Sequence, residues 1–454
     1  DGFTMRRMVP RGRGGRGGRG RSTADRGGSG GGKASSRAAG LVQLDRHFAA
    51  AYGVRWARLR FALLRKVEHV AWRNPYVGRA EALALFEGAS AQGWSELSHS
   101  SGCSLLVRAR ASEVESGGGG EAEACPSPPA AGVAEEGEAD SDAVADPSMP
   151  QAVAIRRAST QQSLQSHYAL DGASPLPALA LAPRRGHRVL DLCAAPGGKS
   201  LCLAGQLFGG GLDAAGGEGS LLISNDRSAP RRARLRRVLE EFLPAELLCE
   251  ASELPMRGAT PTAAVVTGID AAQWGRGPAA PSWSATASFH RILIDAPCSS
   301  ERHFLHGAPD AIWSRARLKR DAALQSAILR NGARLLAVGG RLVYSTCSLA
   351  DEENDAVVAK LLKHKRHGAG LAAVDPLGGE LLEESIAPLL AGVKRTSLGA
   401  IMLPDTSRFG PLYWAVLERT AAGGAGEGSD GSSDDGSRHG GDDSDATGED
   451  GSRQ

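Results

Sequence analysis

The sequence predicts an α/β fold: a mostly parallel seven-stranded sheet, covered by helices on both faces and finished at one edge by an antiparallel hairpin. Two observations carry this expectation. Between about residues 155 and 420, short β-rich runs alternate with helical ones, which is the pattern of βαβ units. The last two strand runs are separated only by residues 404–411, so they pair as a hairpin rather than through a crossover. In chain order, strands are expected at 188–193, 221–226, 263–267, 291–295, 341–345, 399–403 and 412–417. Helical patterns fill the gaps at 200–207, 230–242, 315–338 and 352–364.

Ahead of this domain, the apolar series Phe48, Tyr52, Trp56, Leu59 and Leu63 has the spacing of an amphipathic helix. A second helix is expected at 79–86, after Pro75 and Gly78. Residues 41–110 therefore read as a small helical N-terminal unit, and 155–420 as the main domain. Sixty glycines, nearly twice the usual share of about 7%, cluster outside these units. Residues 1–37 form an Arg/Gly-rich segment, 111–150 an acidic insertion and 421–454 an acidic tail, all expected to be disordered. The first of these reads either as an organelle transit peptide or as an Arg-Gly tail that adds RNA affinity.

The formal charge of +2 hides this division. The three segments carry +8, −10 and −7, which leaves +11 on the rest. A basic foldable part favours a polyanionic partner. Seven scattered cysteines are too few for a disulfide scaffold and point to a reducing compartment. No apolar run of about eighteen residues is present, as a transmembrane helix would need. No apolar stretch follows the first arginines, so a secretory signal is not expected there.

Four segments carry chemistry. In Val189-Leu-Asp191-Leu-Cys193-Ala194-Ala195-Pro196-Gly197-Gly198-Lys199-Ser200, a buried strand ends in a glycine-rich turn that opens a helix. Its backbone N–H groups and the helix N-terminus face a ligand over the strand end. A phosphate-binding Walker loop would need glycine at Cys193, and a dinucleotide fingerprint would need Gly-x-Gly-x-x-Gly. A turn for a nucleoside without a pyrophosphate remains. Asp226 ends the next strand, where an acid either accepts hydrogen bonds from ribose hydroxyls or caps a helix. The segments Ile292-Leu-Ile-Asp295-Ala-Pro-Cys298-Ser299 and Leu342-Val-Tyr-Ser345-Thr346-Cys347-Ser348 each deliver a cysteine just past an apolar strand. Neighbouring parallel strands lie about 4.8 Å apart, so both thiols should meet in one cleft. Cys103, Cys125, Cys193, Cys202 and Cys249 read instead as small buried hydrophobes. Metal-ligand spacings of the C-x-x-C or H-x-x-x-H type do not occur, so no metal is expected.

The strings Cys193 to Lys199, Asp295 to Ser299 and Ser345 to Ser348, the last followed by Asp351-Glu352-Glu353-Asn354, resemble motifs I, IV and VI of the Sun-domain RNA cytosine-5 methyltransferases. The resemblance covers about residues 155–420. Ser300-Glu301-Arg302-His303-Phe304 stands where that family usually has Gly-x-Gly, and residues 44–52 and 398–413 are similar to its mitochondrial ribosomal-RNA members. It implies a Rossmann-like S-adenosylmethionine-dependent methyltransferase fold. It also implies Cys347 as the nucleophile that attacks cytosine C6, Cys298 in product release and Asp295 at the cytosine edge. For S-adenosylmethionine it implies Cys193, Ala194, Ala195, Pro196, Gly197, Gly198 and Lys199 in the turn, Asp226 on the ribose, and Arg231, Asp270 and Asp295 nearby. At Asp270 the usual Asp-Gly is Asp-Ala. The implied partner is RNA, ribosomal RNA first and transfer RNA second, with a ribosome-assembly protein as a further partner. The implied location is the mitochondrion, ahead of plastid or nucleolus. The competing reading is a noncatalytic RNA-binding assembly factor that retains the fold.

Overall fold

The computed structural model describes residues 30–90, 94–108, 150–156, 162–209, 219–254, 260–275, 288–308, 312–378 and 383–420. The Arg/Gly-rich segment up to residue 29, the acidic insertion apart from residue 150, Cys125 and the acidic tail lie outside them.

The N-terminal unit differs from the helical expectation in two ways. The first helical run is two helices, α1 (Gly30–Tyr52) and α2 (Trp56–Leu63), joined by a single 3-10 turn. Gly53 sits in the turn at φ +57°, a conformation that glycine adopts without steric cost and that interrupts the helix. Helix α1 also begins inside the stretch expected as tail, because Lys33 to Ala39 contains good helix formers. The larger difference is that strands follow. β1 (His69–Arg73), α3 (Arg79–Ser90), β2 (Trp94–Ser98) and β3 (Ser104–Arg108) precede the acidic insertion, and β4 (Ala154–Arg156), β5 (Ser163–Gln165) and β6 (His167–Asp171) come after it. An antiparallel sheet in the order β2-β3-β1-β6 results, so a strand from beyond the insertion completes the unit. The reason is alternation. Val70, Trp72, Leu105 and Val107 enter the main core, while Ala71 and Leu106 join Phe86 and Trp94 on the opposite face. Strands of five residues buried on both faces show too little polar alternation to be told from helix by periodicity.

The main domain runs α4 (Leu176–Leu181), β7 (Arg188–Asp191), α5 (Gly198–Phe208), β8 (Leu221–Asn225), α6 (Ala229–Phe242), β9 (Leu248–Cys249), β10 (Ala263–Thr267), β11 (Phe289–Asp295), α7 (Glu301–Leu305), α8 (Arg315–Leu335), β12 (Leu336–Thr346), α9 (Asp355–Leu362), β13 (Leu371–Val374), α10 (Ala387–Leu390), β14 (Lys394–Arg395), β15 (Ala400–Met402) and β16 (Leu412–Arg419). All seven expected strands are present. The sheet has ten strands rather than seven, because β9, β13 and β14 add short edge pairings. Its order is β14-β15-β16-β12-β11-β7-β8-β10-β9, parallel from β12 to β9, with β13 also pairing β16. β16 runs antiparallel to β12 and, as the short 404–411 connection requires, to β15. The expected helix 315–338 stops at Leu335, and the strand begins at once. Gly339, at φ +76°, lies in the irregular lead-in where the register shifts between Phe289 and Arg291.

Successive strand residues feed two cores. Val189, Leu222, Leu293 and Val343 face α4, α5 and α6, while Leu190, Ile223, Ile292 and Leu342 face α8 and α9. Burial on both faces explains why these strands read as unbroken apolar runs. A third cluster joins α1 and α2 to the main domain, with Phe48 and Trp56 packed with Phe304, Trp313 and Leu349. An ion pair fastens the same junction. Arg55 Nε and Nη2 donate to the two oxygens of Asp405, a carboxylate with no exposed side-chain surface, at 2.7 and 2.8 Å.

Candidate catalytic cleft

Strands β7, β8, β10, β11 and β12 end on one side of the sheet, and each expected site residue follows one of these ends. At the end of β7, Asp191 is fully buried and accepts from Ser200 Oγ at 2.8 Å. Burial pushes its carboxyl up to about 7, against the Ser200 hydrogen bond and with help from the Asp295 charge. The turn that follows is held on both sides. Ala194 N–H donates to Asn225 O at 2.8 Å, and Arg231 Nη2 donates to Ala195 O at 2.7 Å. Gly197, at φ +123°, precedes α5; a Cβ there would stand 3.0 Å from Val238 Cγ1. At Gly198 a Cβ would come within 2.3 Å of Leu170 Cδ2. Cys193 is half-buried at the mouth of the turn, and burial pushes its thiol pKa upward.

Arg231 also reaches Asp226, its Nε lying 3.4 Å from Oδ2, so one guanidinium links the turn to the acid after β8. Asp226 Oδ1 accepts from Ser228 N–H at 2.8 Å. Its neighbour Asn225 was not singled out in the sequence, yet it knits three strand ends. Its amide donates to Leu192 O and Ile269 O at 3.0 and 2.9 Å, and its oxygen accepts from Thr267 Oγ1 and Ile269 N–H at 3.0 and 2.8 Å. Asp270 caps its own turn through Ala272 N–H and pairs with Arg227 at 3.2 Å.

The two thiols meet as their strand positions require, with Cys298 Sγ 3.0 Å from Cys347 Sγ. Cys347 is exposed and Cys298 is buried. Contact with Cys347, then burial, drives the Cys298 thiol pKa well up. Ser300 Oγ stands 3.2 Å from Cys347 and 3.4 Å from Cys298, on a residue held at φ +50°, unfavourable for serine. Asp295 accepts from Ser345 Oγ at 2.8 Å and pairs with Lys199 Nζ at 2.8 Å. Lys199 also donates to Ser174 Oγ at 2.8 Å. Burial acts to lower the Lys199 pKa, but the charge and hydrogen bond of Asp295, with the charges of Asp191 and Cys347, together turn the net direction upward.

Beneath the cysteine loops lie two fully buried carboxylates that the sequence reading did not assign, Glu301 and Glu353. Glu353 accepts from Ser299 N–H at 3.0 Å and from Gln325 Nε2 at 2.8 Å. Glu301 accepts from Leu349 N–H at 3.0 Å and Trp313 Nε1 at 3.2 Å. Ser299 Oγ touches both carboxylates. One hydroxyl has one proton to give, so one carboxyl must itself be protonated and donate to it. Burial, then the Glu301 charge, raises Glu353 to about 7. The pair ties the loop of Cys298 to that of Cys347. Of the remaining cysteines, Cys103 and Cys202 are buried as expected, whereas Cys249 is half-exposed at a sheet edge and donates to Glu253 at 3.3 Å. A two-residue edge strand cannot cover its side chain.

The donor set fits S-adenosylmethionine. Asp191, Asp226, Asp270 and Asp295 follow adjacent strand ends around the glycine turn, an arrangement that suits nucleoside hydroxyls and a cationic ligand and repels a pyrophosphate. Among the described residues no cluster of three or more His, Cys, Asp or Glu could hold a metal, and no helix is long and apolar enough to cross a membrane.

The strand order, the glycine-rich turn and the row of acids define a Rossmann-like methyltransferase domain, carrying two cysteines in its cleft. Residues 264–417 match the model of the 16S rRNA methyltransferase RsmB/F family. Over 260 residues the chain is 33% identical to the 5-cytosine rRNA methyltransferase NSUN4 of Xenopus laevis, covering 56% of this chain and 57% of that protein. It is 32% identical to a mitochondrial tRNA (cytosine(34)-C(5))-methyltransferase of Mus musculus, covering 57% and 65% respectively. The matched stretch thus spans about three-fifths of these relatives' length. A solved structure, the crystal structure of PH0851, shares the fold at TM-score 0.51 and 17% identity, covering 83% of this chain and 65% of that one. Over these residues the chain is similar to RNA methyltransferases, among them cytosine-5 enzymes.

Proposed function

We propose that the protein is an RNA (cytosine-5)-methyltransferase that acts on organellar ribosomal RNA. The observation that carries this reading is the pairing of an exposed Cys347 with a buried Cys298 beside the Lys199–Asp295 ion pair. Cytosine C5 is too electron-poor to attack a methyl group directly. A thiolate that adds to C6 makes it nucleophilic, and cysteine combines nucleophilicity with an accessible ionised form. S-adenosylmethionine, held by the turn 193–199, Asp226, Arg231, Asp270 and Asp295, supplies an electrophilic methyl group when bound. Cys347 forms the S–C6 bond, and the ring's electron pair moves toward N3 and O2, where Asp295 binds the N3 and amino edge. After C5 is methylated its proton passes to solvent in the open cleft, the C5–H pair re-forms the C5=C6 bond, and the S–C6 electrons leave with Cys347. Cys298, in contact with Cys347, assists this release.

The target base must leave its stack to reach the cleft, so single-stranded or loop RNA is the substrate. The net charge of +11 outside the three low-complexity segments supports a polyanionic partner. Ribosomal RNA is favoured by the names of the NSUN4 relatives, while the mitochondrial transfer-RNA relative at 32% identity supports transfer RNA as the second reading. The same names and the Arg-rich segment 1–37 support a mitochondrial location, which imaging of the protein with and without that segment tests.

The deciding experiment incubates the protein with labelled S-adenosylmethionine and small-subunit ribosomal or transfer RNA transcripts, followed by bisulfite sequencing. Methyl transfer should vanish in Cys347→Ala, while Cys298→Ala should accumulate a covalent protein–RNA adduct. Absence of transfer to any RNA in the parent protein would favour the assembly-factor reading. Release of RNA by Cys298→Ala at the parent rate would remove that residue from the mechanism.

A further inference from the structure

The loop after β6, residues 171–174, stands between the small N-terminal sheet and the cleft. Its position is fixed from both the N-terminal sheet and the main domain. Asp171 pairs in register with His69 of β1, and a Cβ on Gly172 would come within 2.1 Å of the Phe409 ring. Each end of the loop holds a cation. Ser174 Oγ accepts from Lys199 at 2.8 Å, and Asp171 Oδ2 lies 3.5 Å from Arg302 Nη1.

Lys199 is already committed to Asp295. Arg302 is not fully used. Its side chain is 15% exposed, and its Nε is buried with no hydrogen-bond partner among the described residues. An unsatisfied buried guanidinium N–H is costly unless a ligand completes it. Arg302 follows two residues after Ser300, whose hydroxyl stands 3.2 Å from Cys347 Sγ. Burial lowers its pKa on balance, while the charges of Asp171 and then Cys347 favour the protonated form. An arginine with one unused N–H donor therefore sits at the start of α7, close enough to the reacting thiol to feel its charge.

We infer that Arg302, anchored by Asp171, donates a hydrogen bond to O2 of the target cytosine as Cys347 adds to C6. The inference rests on the methyltransferase reading. In that step the thiolate sulfur forms a bond to C6, and the C5=C6 π pair shifts through C4 so that negative charge gathers on N3 and O2. Asp295 serves the N3 edge, which leaves O2 as the atom that needs a donor. A guanidinium fixed before the reaction stabilises that charge without reorganisation.

The test compares the parent, Arg302→Ala and Arg302→Lys on a small-subunit ribosomal RNA transcript prepared with cytidine or with 2-thiocytidine. Thermal unfolding of each variant is recorded alongside. Loss of one such donor should lower kcat by about 10²–10³-fold. RNA affinity and its salt dependence should stay unchanged, and lysine should restore only part of the rate. Sulfur in place of O2 should slow the parent but add little to the defect of Arg302→Ala. If Arg302→Ala does not fold, the lysine variant decides by the same kcat and 2-thiocytidine readouts. A full kcat in a folded variant overturns the inference. So does a loss confined to affinity with the salt slope reduced by about one, which marks a phosphate contact. A parent protein inactive on every RNA overturns the underlying reading, and this inference with it.

Discussion

Replacing Glu353 with glutamine should remove this residue's own share of the pH dependence of stability between about 4 and 8. Glu353 is fully buried, and burial together with the Glu301 charge raises its carboxyl from 4.5 to about 7. Below pH 4.5 the group is protonated in both folded and unfolded chains, and the raised value has no effect. As pH rises, the unfolded chain gives up the proton first while the folded state retains it, so stability falls until the folded group also ionises near 7. The shift corresponds to about 3 kcal/mol lost between these limits, each pKa unit contributing about 1.4 kcal/mol. Glutamine keeps the shape, can still accept from Ser299 N–H and Gln325, and needs no proton from solvent to donate to Ser299 Oγ. Urea unfolding of parent and variant at pH 5 and pH 8 measures the effect. The two should be nearly equal at pH 5, and the variant should be more stable by about 2–3 kcal/mol at pH 8. A parent–variant difference that is the same at both pH values would refute the shared-proton account. Alanine instead leaves Ser299 N–H without its acceptor and Gln325 with only Pro297 O, at about 1–3 kcal/mol for each unpaired buried N–H. It should also slow catalysis by loosening both cysteine loops.

Gly198→Ala should cost about 1–3 kcal/mol by overpacking, because its Cβ would stand 2.3 Å from Leu170 Cδ2; calorimetric titration should show weakened S-adenosylmethionine binding. Asp226→Ala removes the acid expected on the ribose and frees Arg231, so the same titration should find cofactor affinity reduced by about tenfold, near 1.4 kcal/mol. Arg55→Ala strips a two-point partner from the buried Asp405 and should cost about 3 kcal/mol in denaturant unfolding, with Arg58, 3.3 Å away, limiting the loss.

Much of the architecture was legible because its signals are local. Within these strands the runs Val189–Leu190, Leu221–Ile223, Ile292–Ile294 and Leu342–Tyr344 are apolar at every position, as strands covered on both faces must be. Gly197 and Gly198 announced a turn that no larger residue fits. The strands of the N-terminal unit were missed for the converse reason. Five-residue segments such as His69–Arg73 gain their stability from partners distant in sequence, among them β6 beyond the acidic insertion.

The site divides along the same line. Cysteines after β11 and β12, an acid after β8 and the glycine turn after β7 are properties of single segments, and from these the sequence alone led to the expected class of chemistry and its candidate reacting atoms. What surrounds those atoms was decided in three dimensions. Ser299 shares its hydroxyl with carboxylates two and fifty-four positions away. Asn225 joins the loop after β7, thirty-three residues before it, to the loop after β10, forty-four residues after it, and Arg302 meets Asp171 across the span that holds β7 to β11. No periodicity encodes such pairs. Whether a buried acid keeps its proton, or an arginine is left with an unused donor, depends on desolvation and on partners that converge only once the chain is folded.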